Sequence, residues 1–222
     1  MGKTKDVIVN NDNTVTLIFK DDATGEDGVF NPGANQVALK INGMGRAGLI
    51  LSQHFFRLAQ KAEIRCHFID WNLNEGYMLA EKLSMLPIEF VWRSKTWGSF
   101  CKTYGVDKGI PLANGIIDPT LKNDDLGDPR IQKEAVIALG WMTEEQFEAC
   151  DRYVRCLAHK VLVPELTKNG YELIDFKVEF GLDDQGKVVL ADEISGGIWR
   201  VFKDGETADP IECAKMICPE YH

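Results

Sequence analysis

The sequence predicts an α+β protein of two lobes, built of antiparallel sheets with helices packed on them and a cleft between the lobes. Three observations predict it. Polar and apolar residues alternate through residues 5–20 and 172–192, each time around a turn of Asn, Asp or Gly residues, the mark of antiparallel hairpins. Apolar residues return at helical spacing in residues 49–61 and again in 143–166. The 222 residues suffice for one good core split at most into two lobes, since single domains run to about 100–200 residues.

In chain order, residues 6–9 and 14–19 form the first hairpin around the turn Asn10 to Asn13. A loop rich in Gly and Asp follows at residues 21–28, then an extended piece at 37–41, the helix at 49–61 and a strand at 63–71. After a turn at residues 72–76, two more extended segments end in Leu86-Pro87-Ile88-Glu89-Phe90-Val91-Trp92-Arg93. Pro87 marks the expected division, into lobes of residues 1–86 and 87–222. Residues 105–130, rich in Gly, Asp and Pro, read as irregular, and the longest helical pattern and the last strand pair complete the chain.

Composition narrows the function. Hydrophobic residues are 45% and charged residues 27%, the balance of an ordinary folded globule. A net charge of -9 argues against a nucleic-acid partner, which needs a field of Lys and Arg over one face. Small anionic substrates then need local cations or bound metal. The six cysteines form no CxxC pair and show no zinc spacing, no apolar run is long enough to span a bilayer, and no secretory signal opens the chain. The expectation is a cytoplasmic protein with reduced thiols, no membrane partner and small-molecule substrates, with a homo-oligomer left open.

The chemistry concentrates in two segments. In Ile174-Asp175-Phe176-Lys177-Val178-Glu179-Phe180 a strand buries the four apolar side chains on one face and lines up Asp175, Lys177 and Glu179 on the other. The turn Asp183 to Gly186 returns the chain through Val188-Val189-Leu190 and brings Asp192 and Glu193 toward the start of the first strand. Carboxylates around a lysine can hold magnesium between phosphates while the ammonium neutralises an anionic oxygen. Alternation alone favours a solvated edge hairpin.

What decides between them is a resemblance. DFKVEFG (residues 175–181) and ADEIS (191–195) are very similar to the signature of the SAICAR synthetase family. Gly2-Lys3-Thr4-Lys5-Asp6 resembles its nucleotide loop, and residues 19–28 its F-x-D-x-[ST]-x-x-D-G segment. Residues 86–99 look like its P-[IV]-E-x-V-x-R…GS, and Leu121-Lys122-Asn123-Asp124 through Asp128-Pro129 like its K-x-D…DP. The resemblance implies a two-lobed fold with the nucleotide in the cleft, an N-terminal nucleotide lobe and a C-terminal lobe carrying metal and substrate. It implies an ATP- and Mg2+-dependent ligase that joins the carboxylate of carboxyaminoimidazole ribonucleotide to the amine of L-aspartate. By the same resemblance Lys3, Lys5, Lys122, Glu179 and Asp192 bind ATP, the last two through the metal. Asp27, Gly28, Arg93, Ser99, Asp175, Lys177 and Arg200 hold the ribonucleotide, with Lys177, Asp175 and Arg200 as the catalytic set. Fork-shaped guanidiniums suit phosphate, and metal charge offsets the approach of two anions.

Gly43-Met44-Gly45-Arg46-Ala47-Gly48 also matches the dinucleotide fingerprint G-x-G-x-x-G, with Asp70 downstream. The rest of the chain lacks alternating strand and helix units, so these glycines are read as letting a helix approach a strand closely. The chain also departs from the family. Gly196 and Gly197 stand where the family carries Pro-Asp, Trp97 stands among residues that are small there, and the closing C-terminal helix is absent. Loss of that carboxylate, with Trp97, Ile198 and Trp199 added, predicts a less polar acceptor side. Two further readings stay open: a related ligase that joins another acid or amine, and a non-catalytic nucleotide-binding protein.

Overall fold

Three antiparallel sheets and a set of flanking helices surround one connected core in the computed structural model, which describes residues 4–26, 28–32 and 37–221. β1 (Lys5–Val9) and β2 (Thr14–Phe19) form the expected hairpin, Lys5 opposite Phe19. Asn13 takes φ 63°, a left-handed turn position that asparagine tolerates, and Asn10 donates to the hydroxyls of Thr14 and Thr16.

The polar stretch read as a loop at residues 21–28 instead contains β3 (Asp22–Glu26), which pairs with β4 (Val29–Phe30) and β5 (Val37–Lys40). Backbone pairing on both sides holds a segment whose side chains show no apolar alternation; Ala23 and Gly25 are buried, while Asp22 and Thr24 are partly exposed. α1 (Met44–Lys61) starts five residues before the apolar spacing shows it. The Asp21 carboxylate accepts from the Gly45 N–H at 2.9 Å and stands in for a local cap. A Cβ on Gly45 would lie 2.8 Å from the Phe19 carbonyl oxygen and 2.9 Å from that of Lys20. The glycine motif therefore serves close helix-to-strand packing, as its sequence context indicates.

Glu63, at φ 61°, reverses the chain, so the strand expected from residue 63 is confined to β6 (Phe68–Asn72). It pairs with β7 (Tyr77–Glu81) to complete a sheet of order β1-β2-β7-β6. The passage to the second sheet falls at residues 82 and 83, and β8 (Ser84–Lys95) then runs unbroken past Pro87. α2 (Ser99–Tyr104) leads to β9 (Pro111–Leu121), a long strand within the stretch read as irregular. It sits beside β8 at the sheet's end, where Pro111 and Pro119 leave their missing N–H groups off the ladder.

A 3-10 turn (Asp124–Leu126) and α3 (Lys133–Ala138) precede α4 (Glu144–Cys156), which opens on a capping box between Thr143 and Gln146. α4 continues through a π turn (Leu157–Leu162) into α5 (Val163–Lys168). Pro164 at the start of α5 lacks the N–H an uninterrupted α-helix requires, and the wider π register takes up the mismatch.

The second sheet has the order β13-β12-β10-β8-β9, from β10 (Glu172–Leu182), β12 (Trp199–Lys203) and β13 (Glu206–Thr207) with the two strands named above. β11 (Val188–Ala191) also pairs with β10, next to its far half. α6 (Pro210–Ile217), capped by Asp209, packs on α1, so the expected lack of a closing helix is corrected. Its Cys213, Ala214 and Ile217 bury an apolar stripe.

Candidate active site

Strand register builds the site. β10 lies between β8 and β12, with Arg200 opposite Asp175 and Asp175 opposite Arg93. Two residues along, Lys177 faces Val91 and Val91 faces Asp118; two further, Glu179 faces Glu89 and Glu89 faces Thr120. Because side chains alternate, all of these project from one face of the sheet. That face forms the floor of a cleft of about 1630 Å³, which the first sheet closes through Lys5, Val7, Val9, Val15 and Leu17. The charged hairpin face is thus covered, not solvated: Asp175 and Glu179 are 3% and 5% exposed.

One end of the cleft is made of lysines and carboxylates. Lys5 pairs with Asp192 at 3.2 Å and with Glu193. Lys122 pairs with Glu179, while Lys177 lies 2.5 Å from Glu89 and 3.6 Å from Glu179. Burial opposes charge on Lys5 and Lys177, yet the adjacent carboxylates outweigh it and hold both ammonium groups above the ordinary lysine range. Burial likewise opposes charge on Asp192, but Lys5, Lys177 and Lys122 keep its carboxyl below its ordinary value. For Glu89 burial wins over Lys177 and the carboxyl is raised.

Asp192 occupies this place through backbone as well as charge. It has φ 64°, and its carbonyl oxygen lies 3.1 Å from Nε2 of buried His67. β11 ends at Ala191 opposite Glu179, so Asp192 emerges beside the middle of β10 and not at its start, which is taken by β12. This corrects the expected position while keeping the expected cluster.

The other end is made of arginines. Arg93, 3% exposed, donates to Asp118 at 3.0 Å, to Asp175 at 2.8 Å and to Ser99 at 3.4 Å. Arg200 donates to Asp175 at 2.8 and 3.0 Å and to Asn31 at 3.1 Å. Gly28 lines the cleft from the small third sheet. The structure therefore gathers Lys5, Gly28, Arg93, Ser99, Lys122, Asp175, Lys177, Glu179, Asp192 and Arg200 around one space. Lys3 and Asp27 lie outside the described residues.

Sequence reading missed Glu89, Asp118, Arg130 and the apolar wall of Val7 and Val9. Glu89 stood inside a recognised motif and on an alternating strand, which was the available signal. Asp118 gave none, because the Gly, Asp and Pro content of its segment hides β9, and Arg130 lies beyond that strand in a polar connection.

The expected apolar acceptor side is also corrected in part. Trp199 turns away from the cleft to meet Phe55 edge-on at 5.2 Å, and Trp97 meets Phe202 edge-on at 4.9 Å. Only Gly197 and Ile198 of that group line the cleft. The alternation of β12 assigns Trp199 to the core because Arg200 faces Asp175.

No group of three or more His, Cys, Asp or Glu among the described residues forms a ready metal cage. The donor set is nonetheless of the kind magnesium takes, hard carboxylate oxygens used one or two at a time with phosphate oxygens and water filling the remaining positions.

Fold and cleft together define the class: a nucleotide-dependent ligase that forms a carbon–nitrogen bond. The model of the SAICAR synthetase family matches residues 1–215, and the chain belongs to that family. It is 39% identical over 220 residues to a phosphoribosylaminoimidazole-succinocarboxamide synthase of Clostridium tetani, covering 97% of this chain and 96% of that protein. Among solved structures it resembles a SAICAR synthetase (Type-2) in complex with ADP, with TM-score 0.88, 30% identity and coverage of 99% and 97%. The phosphoribosylaminoimidazole-succinocarboxamide synthase of Ehrlichia chaffeensis superposes with TM-score 0.87 at 26% identity, covering 100% of this chain and 96% of that one. The α+β fold expected from the sequence is that of these proteins.

Proposed function

We propose that the protein uses ATP to join the carboxylate of carboxyaminoimidazole ribonucleotide to the amine of L-aspartate, giving SAICAR, ADP and phosphate. The observation that carries this reading is the division of one cleft into a lysine and carboxylate end beside an apolar wall and an arginine end about the buried Asp175. The apolar side chains of Val7, Val9, Val15 and Leu17 offer a surface for a purine base, with Lys5 at its edge. Lys122 and Lys177 stand where a nucleotide's phosphates would extend from there, and Arg93, Ser99 and Arg200 suit a sugar phosphate.

In this reading Lys177 lies between the two ends and neutralises the carboxylate as it approaches the terminal phosphoryl group. Asp175 keeps Arg93 and Arg200 in fixed orientation, which places the ribonucleotide without further ordering. Glu179 and Asp192 are the residues that would hold Mg2+, whose charge offsets the phosphate oxygens in phosphoryl transfer. Their present lysine partners would be exchanged for the ion on loading. Lys3 and Asp27 are proposed to join from the nucleotide and ribonucleotide sides. We further propose that the lobes of residues 1–86 and 87–222 contribute the two walls. The free thiols of all six cysteines accord with a cytoplasmic location.

Incubation with ATP, Mg2+, carboxyaminoimidazole ribonucleotide and each amino acid in turn, followed by mass analysis, tests the reading. The aspartate adduct is the expected product. An adduct with another amine only would replace the acceptor, a possibility that Gly197 at the cleft wall keeps specific. ATP bound without release of ADP in any combination would favour a non-catalytic binding protein.

A further inference from the structure

Arg130 belongs to none of the motifs that led to the site, yet it lines the cleft. All three of its guanidinium nitrogens are engaged by protein. Nε and Nη2 donate to the two oxygens of Asp118 at 2.8 and 2.9 Å, and Nη1 donates to Thr103. The group lies over Phe100 and Tyr104 at 5.7 and 5.3 Å. Asp118, 7% exposed, also accepts from Nε of Arg93 at 3.0 Å, and Arg93 lies over the same Phe100 ring at 5.8 Å. One buried carboxylate and one aromatic ring are therefore shared by two arginines. The strip continues through Asp175 to Arg200, three guanidiniums to two carboxylates, and Lys102 lines the same wall. It carries positive charge in excess, which an incoming anion would balance.

Asp118 divides its oxygens. Oδ1 accepts from Arg130, and Oδ2 from both arginines. A buried carboxylate that loses the partner of one oxygen turns toward the nearest remaining donors. Those belong to Arg93, whose Nη1 and Nη2 now reach Asp175 and Ser99.

We propose that Arg130 is a positioning residue for the phosphate of the ribonucleotide: by saturating Asp118 with a two-pronged contact it leaves the Nη edge of Arg93 turned toward the cleft. The proposal rests on the ribonucleotide reading above, and specifies which residues hold its phosphomonoester end. A lysine cannot replace the fork, because its ammonium supplies charge at one point and no planar pair of donors.

The test compares wild type with Arg130→Met and Arg130→Lys in the full chain. Arg130→Met is expected to raise KM for the ribonucleotide about tenfold, less than loss of a directly bound charged partner produces because Arg130 acts through Arg93, with kcat and KM for ATP changed less than about threefold. Arg130→Lys is expected to recover part of that loss. Binding of ribose 5-phosphate and of ribose, measured by calorimetry, supplies an arm independent of turnover. Wild type should prefer the phosphorylated sugar, and Arg130→Met should lose most of the preference. Loss of that preference in a protein that does not turn over carboxyaminoimidazole ribonucleotide would overturn the substrate reading and uphold Arg130. If both variants stay within twofold of wild type in ribonucleotide KM and in ribose 5-phosphate affinity, the proposal is overturned. A parallel rise in both KM values, marking general loosening, overturns it as well. Should Arg130→Met not fold, Arg130→Lys is expected to show the same split between the two KM values at smaller size, and equal values in that variant overturn the proposal.

Discussion

The ammonium of Lys5 in the first strand lies 3.2 Å from the carboxylate of Asp192, 187 residues away, and joins the two sheets across the cleft. Lys5 is 6% exposed and also pairs with Glu193. Lys5→Met would leave two carboxylates in the cleft wall without this cation. Removal of one partner from a buried pair costs about 3–5 kcal/mol, so urea denaturation should show a loss of that order, together with weaker ATP binding. Stability within about 0.5 kcal/mol of wild type would show the pair to be energetically neutral.

Asp192→Asn and Glu179→Gln test the metal assignment. Asparagine tolerates the left-handed φ of 64° at position 192, so the backbone should survive while charge is lost. Turnover is expected to fall by about a hundredfold or more in each variant, with a native circular dichroism spectrum. Full activity in either would remove that residue from the metal site.

Stability should depend on pH through buried His67 and half-buried His54. Burial lowers the pKa of His54, with Glu165 opposing, and pushes His67 down to about 4. Folding therefore disfavours protonation of both rings, while the unfolded chain, at about 6.5, already takes up protons. The stability this represents is present above about pH 6.5 and lost as pH falls toward 4, His67 contributing on the order of 2–3 kcal/mol. Denaturation series between pH 7.5 and 4.5 should show the decline, and His67→Asn should flatten it. An unchanged slope in that variant would contradict the assignment.

Gly45→Ala would place a methyl group 2.8 Å from a carbonyl oxygen of the neighbouring strand. The backbone must shift, at a cost of about 1–3 kcal/mol, visible as a lower melting temperature. A melting temperature equal to wild type would mean that the helix and strand part at no cost.

Trp97→Phe removes an indole that packs on Phe202. Its effect should fall on stability, with KM for either substrate changed less than about twofold. A selective change in acceptor KM would restore Trp97 to the substrate pocket.

The hairpins, α1 and the long α4 to α5 helix were legible because an apolar face at fixed period records which side meets a core. β3 and β9 were not, since they are held by backbone pairing with neighbours distant in sequence and carry Gly, Asp and Pro, which read locally as turns. Trp199 shows the same limit for side chains. Its size suggested a pocket wall, whereas the register of β12 turned it to Phe55.

By itself the sequence determined the antiparallel α+β class and the charged face Asp175, Lys177, Glu179, because a strand's period of two assigns alternate residues to opposite sides whatever lies beyond. Only tertiary structure decided that this face is the floor of a cleft. Glu89, Arg93, Asp118 and Arg200 reach it through strand pairings spread along the chain, Arg130 through a single bridge to Thr120, and Lys5 from the facing sheet. Alternation specifies that a face is polar, but long-range register specifies which charges stand opposite it, and it is their pairing under low exposure that makes a wet edge into a site.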